Sequence, residues 1–115
     1  MAAERRITRQ LEAIVRTLAT NPTAEWAGTD IARLSGLKSG TLYPALLRMH
    51  RFGWLVWHWE KIDPSEAKRP RRRLYSLTGS GEQAVQRIMS ESAARQKRQL
   101  QRKQALRPVP RGATA

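Results

Sequence analysis

A segment near the middle of the chain, SGTLYPALLRM at residues 39–49, constrains the fold more than any other part of the sequence. Three apolar residues recur there at i, i+4 and i+7, which is the spacing of one face of an α-helix. These residues are Leu42, Leu46 and Met49. Because glycine often terminates helices, the pattern predicts a helix that runs to about Phe52 and ends at Gly53.

Pro44 interrupts this pattern and limits where the helix can begin. Inside a helix, proline costs about 3 kcal/mol, because it has no N–H to donate and its ring clashes with the preceding turn. In the first turn the N–H has no partner in any case, so most of this cost disappears. We therefore expect Thr41 to cap the helix, since a cap at Ser39 would require a distorted helix around the proline.

Two further apolar patterns precede this helix. The first predicts an amphipathic helix over residues 4–19. Its buried face would consist of Ile7, Leu11, Ile14, Val15 and Leu18. After a loop, Thr29 can cap a short helix that carries Ile31 and Leu34 and ends at Gly36. Two short helices joined by a tight, glycine-containing turn are typical of a helix-turn-helix motif.

The second half of the chain begins with strand-like segments. WLVWHWE and RRLYSLT are aromatic and β-branched and are separated by the turn-rich DPSEAKRP, so they predict a β-hairpin with a long loop. Thr78 can then cap a last helix. The predicted fold class is mainly α with a small β-hairpin and a C-terminal helix.

The last helix carries an apolar stripe that consists of Val85, Ile88, Met89 and, more weakly, Leu100. Such a stripe must cover either its own domain or a partner, because a protruding helix would otherwise leave it in water. We expect Val85, Ile88 and Met89 to take part in dimerisation. The predicted organisation is a DNA-binding domain over residues 1–78, a dimerisation helix over residues 79–106 and a disordered tail over residues 107–115.

The composition restricts the partner and the compartment. The chain has 22 Lys and Arg residues against 9 Asp and Glu residues, and its net charge of +13 favours a polyanion such as nucleic acid. It has no cysteine, which excludes disulfides and thiolate metal sites. No apolar run is long enough to span a membrane, and MAAERRI lacks the apolar core of a signal peptide. We therefore expect no membrane contact and a cytoplasmic location.

The outward face of the predicted helix after Gly36 has an unusual composition for a surface that meets only water. It collects a phenol, two cations and small apolar groups, on Gly40, Tyr43, Pro44, Leu47, Arg48 and Arg51. Arginine can read guanine or bind phosphate in a DNA groove, and apolar atoms can contact thymine methyl groups. A solvated helix face is the alternative interpretation.

GTLYPALLRMHRFGWL followed by RPRRRLYSLTGSG resembles the PadR family of transcriptional regulators, over about residues 7–90. The resemblance implies a winged helix-turn-helix in a homodimeric repressor that binds double-stranded DNA, and the short chain is similar to the small PadR-like subfamily. Residues 38–51 would then enter the major groove. The implied contacts of this recognition helix are Lys38 on a phosphate and Ser39, Thr41, Tyr43 and Pro44. We add Arg48 from its place on the outward face.

The wing is the hairpin that follows the recognition helix, and the resemblance implies that it reaches a minor groove or phosphates. Its expected contacts are Lys68, Arg69, Arg71 and Arg72. The chain departs from the family at one point of the wing. The family usually has a glycine just before the Arg-Pro pair, whereas this chain offers Lys68 and Arg69. Some members of the small subfamily hold planar drugs between tryptophans of the last helix. Here that helix has no tryptophan, so a small-molecule effector has no support in the sequence.

Other residues that could carry chemistry have simpler explanations. Trp54, Trp57 and Trp59 could form a ligand cage or a base-stacking platform, but packing in the core or in a dimer is the favoured interpretation, also for Trp26. The only histidines, His50 and His58, have no partner at metal-ligand spacing. No nucleophile motif or acid pair is present, so we expect neither an enzyme nor a cofactor.

Two other functions fit the same charge. The first is a small winged-helix interaction protein that grips a protein partner with its basic last helix. The second is an excisionase-like or RNA-binding factor that binds without regard to sequence, because positive charge alone attracts any nucleic acid.

Overall fold

The computed structural model of the chain describes residues 7–106 and Pro108. In this part of the chain the elements follow in the order α1 (Arg9–Ala19), β1 (Trp26–Ala27), α2 (Gly28–Ser35), α3 (Ser39–Arg51), β2 (Leu55–Trp59), α4 (Pro64–Ala67), β3 (Arg73–Leu77) and α5 (Gly79–Ala105). The strands form an antiparallel sheet in the order β1-β3-β2. The predicted fold class, mainly helical with a hairpin and a C-terminal helix, is confirmed. No helix in the described residues is long and apolar enough to cross a lipid bilayer.

α1 has the predicted buried face but a later start. Leu11, Ile14, Val15 and Leu18 are fully buried in the core. The helix begins at Arg9 rather than at residue 4, because Thr8 caps it by accepting a hydrogen bond from the Leu11 N–H at 3.1 Å. The part of the prediction that concerns residues 4–6 lies outside the described residues.

α2 differs from the prediction at its start and agrees at its end. It begins at Gly28 after Ala27, which offers no capping side chain, so the prediction that Thr29 caps it is wrong. The chain enters the helix directly from β1, whose pairing with β3 the sequence pattern had missed. Gly36 ends the helix in the left-handed conformation, with φ of 75°. Leu34 is 62% exposed, so Ile31 alone carries the predicted apolar face into the core.

α3 begins about one turn earlier than predicted. Its N-cap is Lys38, whose carbonyl oxygen accepts a hydrogen bond from the Leu42 N–H at 2.8 Å, so the predicted cap at Thr41 is wrong. Pro44 therefore lies inside the helix and has no N–H for the carbonyl group of Gly40. Gly40 and Pro44 are both exposed, so water can hydrate this carbonyl group and reduce the cost.

The inward face of α3 is as predicted. Leu42, Leu46 and Met49 are at most 1% exposed, and the helix ends at Arg51 with Phe52 as its C-cap. The core that they enter also receives residues from α1, α5 and the sheet. The rotational phase of the helix is therefore correct although its first residue is not.

The predicted hairpin is present, with Leu55 opposite Leu77, Trp57 opposite Tyr75 and Trp59 opposite Arg73. Along β2 the side chains change from buried at Leu55 to exposed at Trp59. Trp54 lies in the core and is 4% exposed. Trp26 is partly buried and packs against the core. Trp57 and Trp59 are 36% and 51% exposed, so they do not pack in the core of their own domain, and packing in a dimer stays a prediction.

α5 begins with the predicted cap, because Thr78 accepts a hydrogen bond from the Gly81 N–H at 3.0 Å. Val85 and Ile88 are each 3% exposed in the core of their own domain, which leaves almost no surface of these two residues for a partner. Met89 is only partly buried at the margin of that core. After Ser92 every described residue of the helix is exposed.

A polar network fastens α5 to α1. Ser92 is 5% exposed, and its hydroxyl group donates a hydrogen bond to Oε1 of Glu12 at 2.7 Å. Arg16 donates from Nη2 to the same oxygen at 3.0 Å and to Oγ of Ser92 at 3.1 Å. Arg95 lies 3.3 Å from the second Glu12 oxygen. The hydrogen bond from Ser92, followed by Arg16 and Arg95, holds the pKa of Glu12 below its ordinary value.

This network predicts a pH-dependent contribution to stability. A carboxyl group whose pKa is lowered in the folded state stabilises the fold above its unfolded pKa and loses that contribution as pH falls through its folded pKa. We expect Glu12→Gln to lower the melting temperature at about pH 7, and the difference from the unmodified protein to shrink towards about pH 3. A difference that stayed constant across thermal melts in this pH range would show that the charge of Glu12 does not matter.

Candidate nucleic-acid interface

The predicted recognition-helix residues lie on the exposed side of α3. The exposed members are Lys38, Ser39, Thr41, Tyr43 and Pro44. Tyr43 is 39% exposed and Leu47 is 48% exposed, although both are large side chains that could have been buried. Because Leu42, Leu46 and Met49 hold the opposite side in the core, these groups face outward together. The arrangement gives α3 a continuous surface of hydroxyl and apolar groups.

Tyr43 has a defined position against the start of α2. A Cβ atom added to Gly28 would lie 2.9 Å from the Tyr43 hydroxyl oxygen and 3.0 Å from its Cε1 atom. The phenol ring thus lies across the backbone at Gly28, where a larger residue would not fit without moving it. This contact links the first residue of α2 to the outward face of the recognition helix.

Gly28 should therefore matter for DNA binding through Tyr43. We expect Gly28→Ala to displace the Tyr43 ring and to weaken binding to a selected DNA site by roughly 1 kcal/mol, while changing stability by less, because alanine favours the helix and the ring is free to move outward. Electrophoretic mobility shift and thermal melting measure the two effects. Equal DNA affinity for Gly28→Ala and the unmodified protein would show that the position of Tyr43 is not important.

Arg48 lies closer to the domain than the sequence pattern predicts. Arg48 is half-buried, and its guanidinium carbon is 6.0 Å from the centroid of the Phe52 ring. This distance allows a cation–π interaction at the end of α3. Contact between Arg48 and DNA stays a prediction.

The wing loop contains features that the sequence did not predict. A short helix, α4, begins after Asp63, whose carboxylate accepts a hydrogen bond from the Ser65 N–H at 3.0 Å. α4 ends at Ala67, and its C-cap Lys68 has a left-handed conformation with φ of 56°. Glycine adopts this conformation without a steric cost, whereas a lysine at this position has a small one. Lys68 itself is exposed, as expected for a phosphate contact.

Two of the predicted wing cations are paired within the protein. Glu60 accepts hydrogen bonds from both terminal nitrogens of Arg69, at 2.7 and 2.9 Å, and from Nη2 of Arg72 at 3.0 Å. The arginines hold the pKa of Glu60 well below its ordinary value, Arg69 first and Arg72 second. Arg71 donates from Nε to the carbonyl oxygen of Ile62 at 2.9 Å. The run of arginines is therefore an ordered loop, fastened at the end of β2.

Arg73 was missed as a candidate, although it adjoins the predicted residues. It stands opposite Trp59 in the hairpin, and its guanidinium carbon lies 4.5 Å from the centroid of Trp57 and 5.4 Å from that of Trp59. The two indole rings are 5.6 Å apart and nearly perpendicular, at 86°. The sequence could have indicated this contact only if the strand register had been known, because residues opposite each other on paired strands share one face of the sheet.

A crevice of about 400 Å³ joins the recognition helix to the wing. Its lining residues come from the start of α2, from α3 and from both wing strands and their loop. They are Gly28, Thr29, Tyr43, Trp59, Arg71, Arg72 and Arg73. The fold thus brings the phenol of the helix and three cations of the wing to one place, on one side of the molecule.

The histidines have structural partners. Nδ1 of His50 lies 2.9 Å from the carbonyl oxygen of Leu55, and Nε2 of His58 lies 2.9 Å from Oε1 of Glu25. The contact with Glu25 raises the pKa of His58. Over residues 7–106 and Pro108, no group of three or more His, Asp and Glu residues is placed to hold a metal ion.

Comparison with known proteins gives the family. The sequence profile of the transcriptional regulator PadR-like family matches residues 29–87, which is 59 of the 115 residues. Among curated protein sequences, none gave a significant match. The matched part covers α2, α3, the wing and the first third of α5.

Solved structures share the fold. The chain is similar to a PadR family transcription regulator from Clostridium difficile, with a TM-score of 0.68 and 24% identity over 82% of this chain and 97% of that one. For smu.1704 from Streptococcus mutans the TM-score is 0.63, with 24% identity over 78% and 83% of the two chains.

A third similar structure is MepR, a transcription regulator of the Staphylococcus aureus multidrug efflux pump MepA, with a TM-score of 0.64 and 19% identity over 84% of this chain and 65% of that one. At these identities the structures support the fold alone, whereas the profile match covers more than half of the sequence. The family and the fold are those of transcriptional regulators and not of enzymes. This protein belongs to the PadR-like family of transcriptional regulators.

Proposed function

We propose that the protein is a homodimeric, sequence-specific DNA-binding repressor of transcription. The observation that carries the proposal is the crevice that joins Tyr43 of α3 to Arg71, Arg72 and Arg73 of the wing. A helix that enters a major groove and a wing that follows the adjacent backbone must present their contacts on one side of the protein. The net charge of +13 supplies the attraction to DNA that such contacts require.

In this proposal α3 reads the bases. Its exposed hydroxyl groups on Ser39, Thr41 and Tyr43 can exchange hydrogen bonds with base edges, and Pro44 and Leu47 can contact thymine methyl groups. Lys38, at the start of the helix, can bind a phosphate. Specificity comes from these side chains because phosphate contacts alone carry no sequence information.

The wing follows the backbone next to the helix. Lys68 and Arg71 are exposed at its loop and would meet phosphates or a minor groove. Arg69 and Arg72 are 41% and 43% exposed and share Glu60, so contact with DNA would require them to accept a second anion beside the carboxylate. The net charge of this cluster, two cations and one anion, still favours a phosphate.

Dimerisation through α5 completes the proposal. Val85 and Ile88 already cover their own domain, so of the three residues predicted to take part in dimerisation Met89 retains most surface for a partner. The contact would lie before Leu100, because beyond Ser92 the helix carries five cations and no acidic residue, namely Arg95, Lys97, Arg98, Arg102 and Lys103. Two copies of this cationic part would repel each other. A dimer that covers a promoter represses transcription by occupancy alone.

A footprint on a DNA site selected from a random pool tests the proposal. We expect protection of a short palindrome whose half-sites are about 34 Å apart, together with a dimer mass by light scattering. Uniform protection that disappears with added salt would indicate a sequence-blind factor instead. Absence of DNA binding at low salt would favour the interaction protein.

A further inference from the structure

We propose that the crevice between α3 and the wing is the seat of one DNA backbone phosphate, bound by Arg73, and that Trp57 and Trp59 act as positioning residues for its guanidinium group. This proposal rests on DNA binding as set out above. It assigns the main wing contact to a residue next to the arginine run rather than to Arg69 or Arg72.

The wing arginines differ in the protein groups that they already bind. Arg69 and Arg72 donate to the Glu60 carboxylate, and Arg71 donates from Nε to a backbone carbonyl group. Among the described residues, no carboxylate lies within ion-pair distance of Arg73. A phosphate at Arg73 therefore displaces no anion of the protein, whereas a phosphate at Arg69 or Arg72 must compete with Glu60 or share the cations with it.

The guanidinium group of Arg73 lies within cation–π distance of both indole rings, at 4.5 and 5.4 Å. Because the two rings are nearly perpendicular, the flat guanidinium group can lie parallel to only one of them, and its N–H donors at the edge remain available for two parallel hydrogen bonds to a phosphate. Two rings that restrict the side chain also reduce the conformational entropy that it would lose on binding.

The two tryptophans are more exposed than indole side chains usually are. Trp57 and Trp59 are 36% and 51% exposed and contribute little to the core, so burial does not explain two indole groups at the tip of a small hairpin. The contact of both indole rings with Arg73 does explain their presence there. Arg73 and Trp59 line the crevice with Tyr43, so the cation is held beside α3, where a DNA backbone would pass in the proposed complex.

Arg73→Lys tests the inference, because lysine keeps the charge but loses the planar, stacked donors. On the selected DNA site we expect about tenfold weaker binding at nearly unchanged salt dependence. Arg73→Gln should also flatten the salt dependence, by about 0.9 in the slope of log K against log salt. Arg98→Lys, an exposed cation of α5, is the matched control and should leave the affinity unchanged.

The role of the indoles requires a double-mutant cycle. Trp59→Leu should weaken binding about as much as Arg73→Lys, and the two changes together should cost little more than either one. Trp59→Phe, which keeps an aromatic face, should restore part of the affinity. Thermal melts should show that all these variants remain folded.

Three results would overturn the inference: wild-type affinity for Arg73→Lys, additive effects of Arg73→Lys and Trp59→Leu, or no recovery with Trp59→Phe. Additive effects would mean that Trp59 contacts DNA itself. Failure of the proposed function has a different signature, since the unmodified protein would then select no DNA sequence at all.

Discussion

Leu46→Ala and Leu47→Ala, two identical changes at adjacent positions of α3, should have opposite consequences. Leu46 is 1% exposed in the core, so its truncation should lower the free energy of unfolding by about 2–5 kcal/mol, from lost burial and the cavity left behind. Leu47 is 48% exposed on the proposed groove-facing side. Its truncation should change stability by less than about 0.5 kcal/mol and weaken binding to the selected site by about 1 kcal/mol.

Urea denaturation and a DNA titration measure the two effects on the same protein samples. Each leucine is the control for the other, because the side chain, the helix and the chemical change are the same. If Leu47→Ala destabilised the fold, or if it bound DNA with unchanged affinity, the face of α3 that we assign to the major groove would be incorrect.

Gly81→Ala should strongly destabilise the fold. Gly81 is buried in the first turn of α5, and an added Cβ atom would overlap the carbonyl oxygen of Trp54 and lie 2.8 Å from its carbonyl carbon. The obstacle is backbone and cannot rotate away, and the same carbonyl group accepts a hydrogen bond from the Thr78 N–H at 3.0 Å. We expect a loss of about 3 kcal/mol or more, because α5 must move away from the wing.

Gly79→Ala is the matched control, two residues earlier in the same helix. Nothing lies within 4 Å of a Cβ atom added there, and the residue is exposed. Alanine should be neutral at this position or stabilise the helix by up to about 1 kcal/mol. For a domain of this size, the loss at Gly81 corresponds to roughly 12 °C or more in melting temperature. Similar melting temperatures for the two variants would contradict the close approach of α5 to Trp54.

The buried faces of the helices could be predicted from the sequence, and the helix starts could not. Leu42, Leu46 and Met49 repeat at a spacing that only a helix accommodates, so their burial followed from periodicity. The start of α3 depended instead on Lys38, whose backbone carbonyl group begins the helix without any capping side chain. The prediction that Pro44 occupies the first turn is wrong, because exposure to water makes an interior proline tolerable.

The wing shows what composition cannot reveal. A run of cations reads as a uniform phosphate-binding segment until the strand register is known. The structure places Arg69 and Arg72 on Glu60 and Arg73 on two indole rings, so neighbouring arginines have different partners. The exposure of Trp57 and Trp59 was also unpredictable, because aromatic residues in strands usually pack against neighbours and are at least half-buried.

Selection of DNA from a random pool, performed with the unmodified protein and with a Ser39→Ala/Thr41→Ala double variant, tests the central claim that α3 reads DNA sequence. Both residues are exposed and remote from the core, so the variant should remain folded. The account predicts a palindromic motif for the unmodified protein, and loss of preference at specific positions of each half-site for the variant, with non-specific affinity nearly unchanged. The same motif from both proteins, or none from either, would contradict it.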